Sequence, residues 1–143
     1  MMLKKNSILF AFLLVTVFWY HLPLQAQMAD VRNVIVALFR LRNEHNAVAA
    51  GQFFADTVAV YMKNLRNVPK AVVVNSDKSF WKNHPRNRFE ITAPIIIETK
   101  KGYTKATIYG NEYLDGLHFQ KERIEIRLNG QQKIYYYRGF LIR

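Results

Sequence analysis

The 143-residue chain contains no cysteine, which excludes disulfides, thiolate metal sites, catalytic thiols and a lipidated N-terminal cysteine. Acids are scarce: 10 Asp and Glu stand against 21 Lys and Arg, a formal net charge of +11. There is no Gly-rich phosphate loop, no Ser-centred nucleophile elbow and no acidic calcium loop. Beyond residue 26 the histidines are His45, His84 and His118, and none stands four residues from another as a helical metal pair would require. No metal and no cofactor is expected. The same stretch has no repeats, no Pro/Ser-rich linker and no apolar run near the roughly 20 residues of a membrane-spanning helix. What is present is a globular composition, 50% hydrophobic and 14% aromatic, which excludes a disordered chain.

The N-terminus reads as a leader. Lys4 and Lys5 form a positive head, Ile8 to Tyr20 is an apolar run broken only by Thr16, and a polar stretch ends at Leu24-Gln25-Ala26-Gln27. This is the layout of a secretory signal peptide cleaved after Ala26, although Leu24 is bulkier than the usual residue two positions earlier. The alternative is an uncleaved N-terminal anchor. Both place the remainder outside the cytoplasm, secreted or periplasmic. The expected organisation is a signal peptide over 1–26 and one domain over 27–143. Losing Lys4 and Lys5 leaves 19 cations against 10 acids, a net +9. That charge suits an anionic surface or simply keeps the protein soluble. Nucleic acid is not an expected partner of an exported chain, and membrane contact is expected only through an uncleaved leader.

Helical signals come first in the domain. Val31, Val34, Ile35, Leu38 and Leu41 form one stripe, with Asp30 as N-cap and Arg40 and Arg42 placed to oppose the helix dipole. A short second helix is expected from Ala47 to Phe54, capped by Asn46, with Phe53 and Phe54 reaching inward. A strand follows over Thr57 to Tyr61. Pro69 to Asn83 contains the strand-prone Val72-Val73-Val74, yet Val73 with Phe80 and Val74 with Trp81 are two helical turns apart. Pro69 suits a first turn and Pro85 a stop, so this segment reads as a helix.

After Arg86 the pattern is antiparallel sheet: Phe89 to Glu98, broken or bulged at Pro94, then Tyr103 to Tyr113, His118 to Leu128 and Gln132 to Arg143. For the last hairpin, a three-residue loop over Asn129 to Gln131 pairs Leu128 with Gln132, Ile126 with Ile134, Ile124 with Tyr136 and Glu122 with Arg138. That register gathers the apolar residues on one face, with Phe140 and Ile142 among them. Gly130 would supply the positive φ of the turn. The other face would carry Lys121, Arg123, Arg127, Lys133, Tyr135, Tyr137 and Arg143.

This order of elements resembles the NTF2-like superfamily, the cone-shaped α+β fold of ketosteroid isomerases and SnoaL-type cyclases. Two stretches carry the resemblance. Phe53-Phe54-Ala55-Asp56-Thr57-Val58-Ala59-Val60-Tyr61 is similar to the family's junction between second helix and first strand. Phe80-Trp81-Lys82-Asn83-His84-Pro85-Arg86-Asn87-Arg88-Phe89 is similar to a Trp-Pro-Arg segment of some NTF2-like modules. The resemblance implies N-terminal helices packed on a curved antiparallel sheet. It further implies that Tyr61, Trp81, Phe89, Ile91, Ile108, Ile124 and Tyr136 look into the cone, either as a ligand pocket or as core filling.

The resemblance speaks to fold more than to activity. Family isomerases need a carboxylate base and a Tyr or acid donor, and the first helix offers no Tyr and only Asp30 and Glu44 near its ends. No catalytic residue is assigned. Trp81 and Arg88 read either as a pocket mouth that binds an anion or as packing that anchors the third helix. Arg123, Arg127, Lys133, Tyr135 and Tyr137 form a candidate interface, since Tyr and Arg are enriched in contact patches. The resemblance makes a homodimer through the outer sheet face the expected partner. Three functions stay open: a non-catalytic binding or association module of the cell envelope, a carrier of a small apolar or anionic ligand, and an isomerase, cyclase or dehydratase-type enzyme.

Overall fold

A computed structural model of the protein describes residues 27–60 and 66–143. The expected leader and Tyr61 lie outside the described residues. One compact unit spans Val31–Arg143.

Helix α1 covers 27–43 and buries Val31, Ile35, Leu38 and Phe39. Asp30 lies inside the helix rather than at its N-cap. The helix closes over His45 in the left-handed region (φ 55°), with the Asn46 amide donating to the Leu41 carbonyl at 2.9 Å. Helix α2 is short, Ala47–Gly51, and Asn46 caps it as expected, its side chain accepting from the Ala49 amide at 3.1 Å. The second helix does not reach Phe54. Phe54 opens strand β1, Phe54–Val60, where its ring is buried. Strand β2, Val68–Pro69, pairs with β1, and helix α3 follows over Lys70–Asn83. The valine run is therefore helical. Its buried residues, Val73, Asp77 and Trp81, recur every four positions, whereas Phe80 is exposed.

The expected single strand over Phe89 to Glu98 is two strands, β3 (Arg88–Ile91) and β4 (Ile96–Lys100), with Pro94 in the gap. Both pair with the same long strand β5, Tyr103–Leu114. Strands β6 (Leu117–Leu128) and β7 (Ile134–Leu141) complete the sheet, whose order is β2-β1-β7-β6-β5-β3 with β4 also on β5. Among the described strands only the β1–β7 pairing is parallel. The architecture is α+β, helices against one face of a mostly antiparallel seven-stranded sheet. Ala106, Ile108, Ile124, Ile126, Leu128 and Ile134 are buried on that face. Alternate residues of β5, among them Tyr103, Lys105, Thr107 and Tyr109, lie on the outer face and retain solvent contact.

The last hairpin corrects the expected register. Ile126 pairs with Tyr137, Ile124 with Gly139, Glu125 with Arg138 and Arg127 with Tyr136, while Leu128 pairs with Ile134. The loop is longer than expected. The Asn129 amide donates to the Lys133 carbonyl, and the Asn129 side chain accepts from the amides of Gln131 and Lys133, both at 3.0 Å. Hydrogen bonding by Asn129 thus selects a wider turn than apolar segregation alone favours. A bulge at Tyr135 then offsets β7. Phe140 moves to the outer face and Ile142 is 43% exposed. The positive φ falls on Gln132 (56°), not on Gly130. Since an L-residue pays about 1 kcal/mol or more in that region, Gln132→Gly should raise stability by about 0.5–1 kcal/mol, read as a higher urea midpoint at unchanged m-value.

Candidate functional site

At one end of the helix-facing side of the sheet the aliphatic core gives way to a polar network. Arg42, on the last turn of α1, falls on the same stripe as Val31, Ile35 and Leu38. Asp77 falls midway between Val73 and Trp81 on α3. Both helices therefore direct a charge inward. Arg42 Nη1 donates to Asp77 Oδ2 at 2.7 Å and Nη2 to Oδ1 at 3.2 Å, a two-pronged pair. Asp77 is only 4% exposed. The guanidinium also lies 5.4 Å from the Trp81 ring centroid and 5.6 Å from that of Tyr137. Burial pulls the Arg42 pKa down, but the nearby Asp77 and Tyr137 outweigh it and leave the pKa raised.

The sheet supplies the opposite wall. Gln120 Nε2 donates to Glu112 Oε2 at 2.9 Å and also to Glu122 Oε1, tying the two carboxylates together. Asn87 Nδ2 donates to Glu112 Oε1 at 3.2 Å, and Asn87 Oδ1 accepts from Trp81 Nε1 at 3.3 Å. His45 stacks on Trp81 with 5.1 Å between ring centroids, and its Nε2 is 2.8 Å from the Asn87 carbonyl. The network runs without a break from α3 through the Asn87 loop to β5 and β6. Among the described residues no Lys, Arg or His forms an ion pair with Glu112 or Glu122. Burial, and next the charge of Glu112, push the Glu122 carboxyl above its ordinary value, against the Gln120 hydrogen bond and Arg42. Burial drives the Tyr137 hydroxyl up to about 12, so it stays protonated.

The residues expected to look into the cone separate into three groups. Trp81 belongs to the network. Ile108 and Ile124 are core, and Phe89 stacks on Phe39 at 5.0 Å beside Ile91 on β3. Tyr136 does not face the cone. The altered register puts it on the outer face with Arg127 4.2 Å from its ring centroid, and Tyr137 takes the inward place, 6.4 Å from Phe54. The candidate interface loses Tyr137 for the same reason. Arg123, Arg127 and Tyr135 remain on the outer side, with Tyr135 edge-on to Tyr103, whereas Lys133 lies in the loop and donates to the Gln52 carbonyl at 2.7 Å. Arg88 lies 3.9 Å from the Tyr113 ring centroid and 3.7 Å from Glu90, a packing position on the β3 edge. Arg42, Asp77, Glu112, Gln120 and Glu122 were not among the expected site residues. The helical stripes identify the first two, because each stripe continues through a charge.

No protein-family model matches the chain, and no curated protein matches it by sequence. Solved structures match over most of its length. A Mycobacterium tuberculosis protein of unknown function, Rv3472, aligns with a TM-score of 0.70 at 13% identity, covering 83% of this chain and 78% of its own. An NTF2-like protein of unknown function from Cytophaga hutchinsonii aligns at 0.56 and 9% identity, covering 78% and 89%. A scytalone dehydratase-like protein of Novosphingobium aromaticivorans aligns at 0.66 and 7% identity, covering 83% and 86%. The chain has the NTF2-like cone fold.

Proposed function

We propose that the chain is an exported, non-catalytic module of the cell envelope that binds a small molecule in its cone. The polar network carries this reading. A cone that served only as core would continue the packing of Ile108, Ile124 and Ile126. Here the wall instead carries Glu112, Gln120, Glu122 and Tyr137 opposite Arg42, Asp77 and Trp81. Asp77, the most buried carboxylate, is held by both prongs of Arg42 and so is poorly placed to take a proton from a substrate. Of the apolar and anionic ligands the sequence allowed, the site suits an apolar-bodied one with a neutral carbonyl or hydroxyl group. Arg42 is already neutralised by Asp77, and an anion would meet Glu112 and Glu122. The leader supports export.

A second reading has one observation behind it. Glu122 has a raised pKa and shares the site with Tyr137, which stays protonated. Carboxylate and tyrosine together are the components of proton abstraction beside a carbonyl.

One experiment addresses both readings. Protein recovered from its own host should begin near Gln27. It should bind neutral phenols and cyclic ketones but not the matching carboxylates when titrated by calorimetry. Binding should weaken as pH rises through the Glu122 transition, and that dependence should vanish in Glu122→Gln. Equal or tighter binding of the carboxylates would sink the binding reading. Deuterium exchange into a bound ketone that Glu122→Gln abolishes would favour the catalytic one.

A further inference from the structure

Four large apolar side chains lie in solvent where β6 begins and β7 ends: Leu117 (76% exposed), Phe119 (56%), Leu141 (66%) and Ile142 (43%). The fold places them at one end of the sheet, Leu141 on the face of its partner Glu122 and Ile142 on the other. Asp115 and Gly116, both at positive φ, turn the chain from β5 into β6 and leave Leu117 at the tip. Phe119 is the extra residue of a bulge, because Glu112 pairs with Gln120 and Tyr113 with His118. The Ile142 amide donates to the Lys121 carbonyl at 3.0 Å, which holds the end of the chain beside β6. Scattered exposed leucines need no explanation, but four at one end of a sheet form a patch.

Cations surround that patch. Arg123 and Arg138 lie 4.3 Å and 4.6 Å from the Phe140 ring centroid on the outer face. Lys121 precedes them on β6, Arg143 ends the chain, and Arg86 lies against the Gly116 turn. The acid of the turn, Asp115, is engaged by His84 at 3.2 Å. Glu112 and Glu122 face the cone and are both held by Gln120, with Leu141 beside Glu122 on the same face.

We infer that this end of the sheet docks on an anionic phospholipid surface. Leu117, Phe119, Leu141 and Ile142 enter the headgroup region, and Lys121, Arg123, Arg138 and Arg143 meet the phosphates. Apolar side chains ringed by Lys and Arg are the composition of an interfacial anchor. Each cation near such a surface strengthens binding about fivefold at ordinary salt. Charge argues against a second copy of the chain, since two such ends would bring their cations together. The apolar side chains argue against nucleic acid, which would leave them in water. The inference does not depend on what the cone binds, and it adds a contact separate from any retained leader.

Because the chain has no cysteine, Phe119→Cys carries an environment-sensitive dye at a single site. Val48→Cys serves as the reference. Val48 is 54% exposed on α2, next to Gln52, whose carbonyl accepts from Lys133 at the opposite end of β6. With vesicles of phosphatidylglycerol and phosphatidylcholine, the dye at position 119 should shift to the blue and the dye at position 48 should not. Phosphatidylcholine alone should leave both unchanged. Replacing Lys121 and Arg123 together with glutamine should weaken the response about 25-fold, as two cations at about fivefold each imply. A retained leader that binds vesicles by itself leaves the difference between the two labels intact. The inference fails if position 119 gives no shift, if both positions shift alike, or if neutral vesicles act as well as anionic ones. It also fails if the shift grows with protein concentration without vesicles, the sign of a second copy, or follows a DNA oligonucleotide instead.

Discussion

Arg42→Met should lower the unfolding free energy by about 3–5 kcal/mol, read as a fall in the urea midpoint at unchanged m-value. Asp77 is 4% exposed and its two oxygens accept from the two terminal nitrogens of Arg42. Methionine keeps much of the aliphatic stem but leaves the carboxylate buried with no partner. That stranded charge, more than the lost attraction, sets the size of the effect. A domain of this size is stable by only about 5–15 kcal/mol, so the variant would approach the limit of folding at 37 °C. The double variant Arg42→Met/Asp77→Leu separates the two contributions. With both charges gone no carboxylate is stranded, and the double variant should be more stable than Arg42→Met alone. If the single variants lose under 1 kcal/mol and combine additively, the pair is not a buried unit and the network loses its centre.

The same pair shows how far a sequence of this kind can be read. Helical spacing identified α1 and α3, and it overcame the strand preference of Val72-Val73-Val74 because a helix is decided by the face it buries. Gly102 and Asp115-Gly116, all at positive φ, fall in the gaps left between the expected strands. Within α3 the buried positions are nevertheless Val73, Asp77 and Trp81, so a stripe defined by apolar residues alone passes over Asp77. On α1 the apolar stripe likewise stops at Leu41, and Arg42, which suits the helix dipole as a cation, also continues the spacing of Ile35 and Leu38. A charge on a buried stripe is legible as a position. Its partner is not, because Arg42 and Asp77 are 35 residues apart and only the packing of α1 against α3 brings them together.

The tyrosines show a second limit. Tyr135, Tyr136 and Tyr137 are chemically alike, and which of them faces the cone depends on a loop and a bulge. Apolar segregation is sensitive to a one-residue slip because the faces exchange. It cannot weigh the hydrogen bonds of Asn129, which select the longer turn. The error reaches directly into the site, since Tyr137 rather than Tyr136 stands under Arg42. The β-edge was legible in outline, Pro94 marking the interruption, but not in the consequence that β3 and β4 share β5.

That shared edge leads to the other large effect. Gly110→Val should destabilise the domain by about 3 kcal/mol, and Gly110→Ala by about 1–3 kcal/mol, the cost of forcing atoms into a packed interior. Gly110 pairs with Ile91, and a Cβ placed on it would come closer than 3.0 Å to the Phe89 ring and to the Glu90 carbonyl oxygen. The ring could rotate away. The carbonyl belongs to the backbone of β3 and can yield only if the strand moves. Movement of β3 would part Phe89 from Phe39 and strain the two bonds between Asn43 and the Phe89 backbone, at 2.8 Å and 2.9 Å, which fasten β3 to the end of α1. Asn87 lies just ahead of β3 and holds both Trp81 and Glu112, so the disturbance should reach the polar network. Trp81 emission should therefore shift in Gly110→Ala even where the domain remains folded. Adding Phe89→Leu should recover only part of the lost stability, because it relieves the ring and not the carbonyl. Full recovery would show that the side chain was the sole obstacle, and an unchanged urea midpoint in Gly110→Ala would show that β3 does not approach β5 as closely as the fold requires.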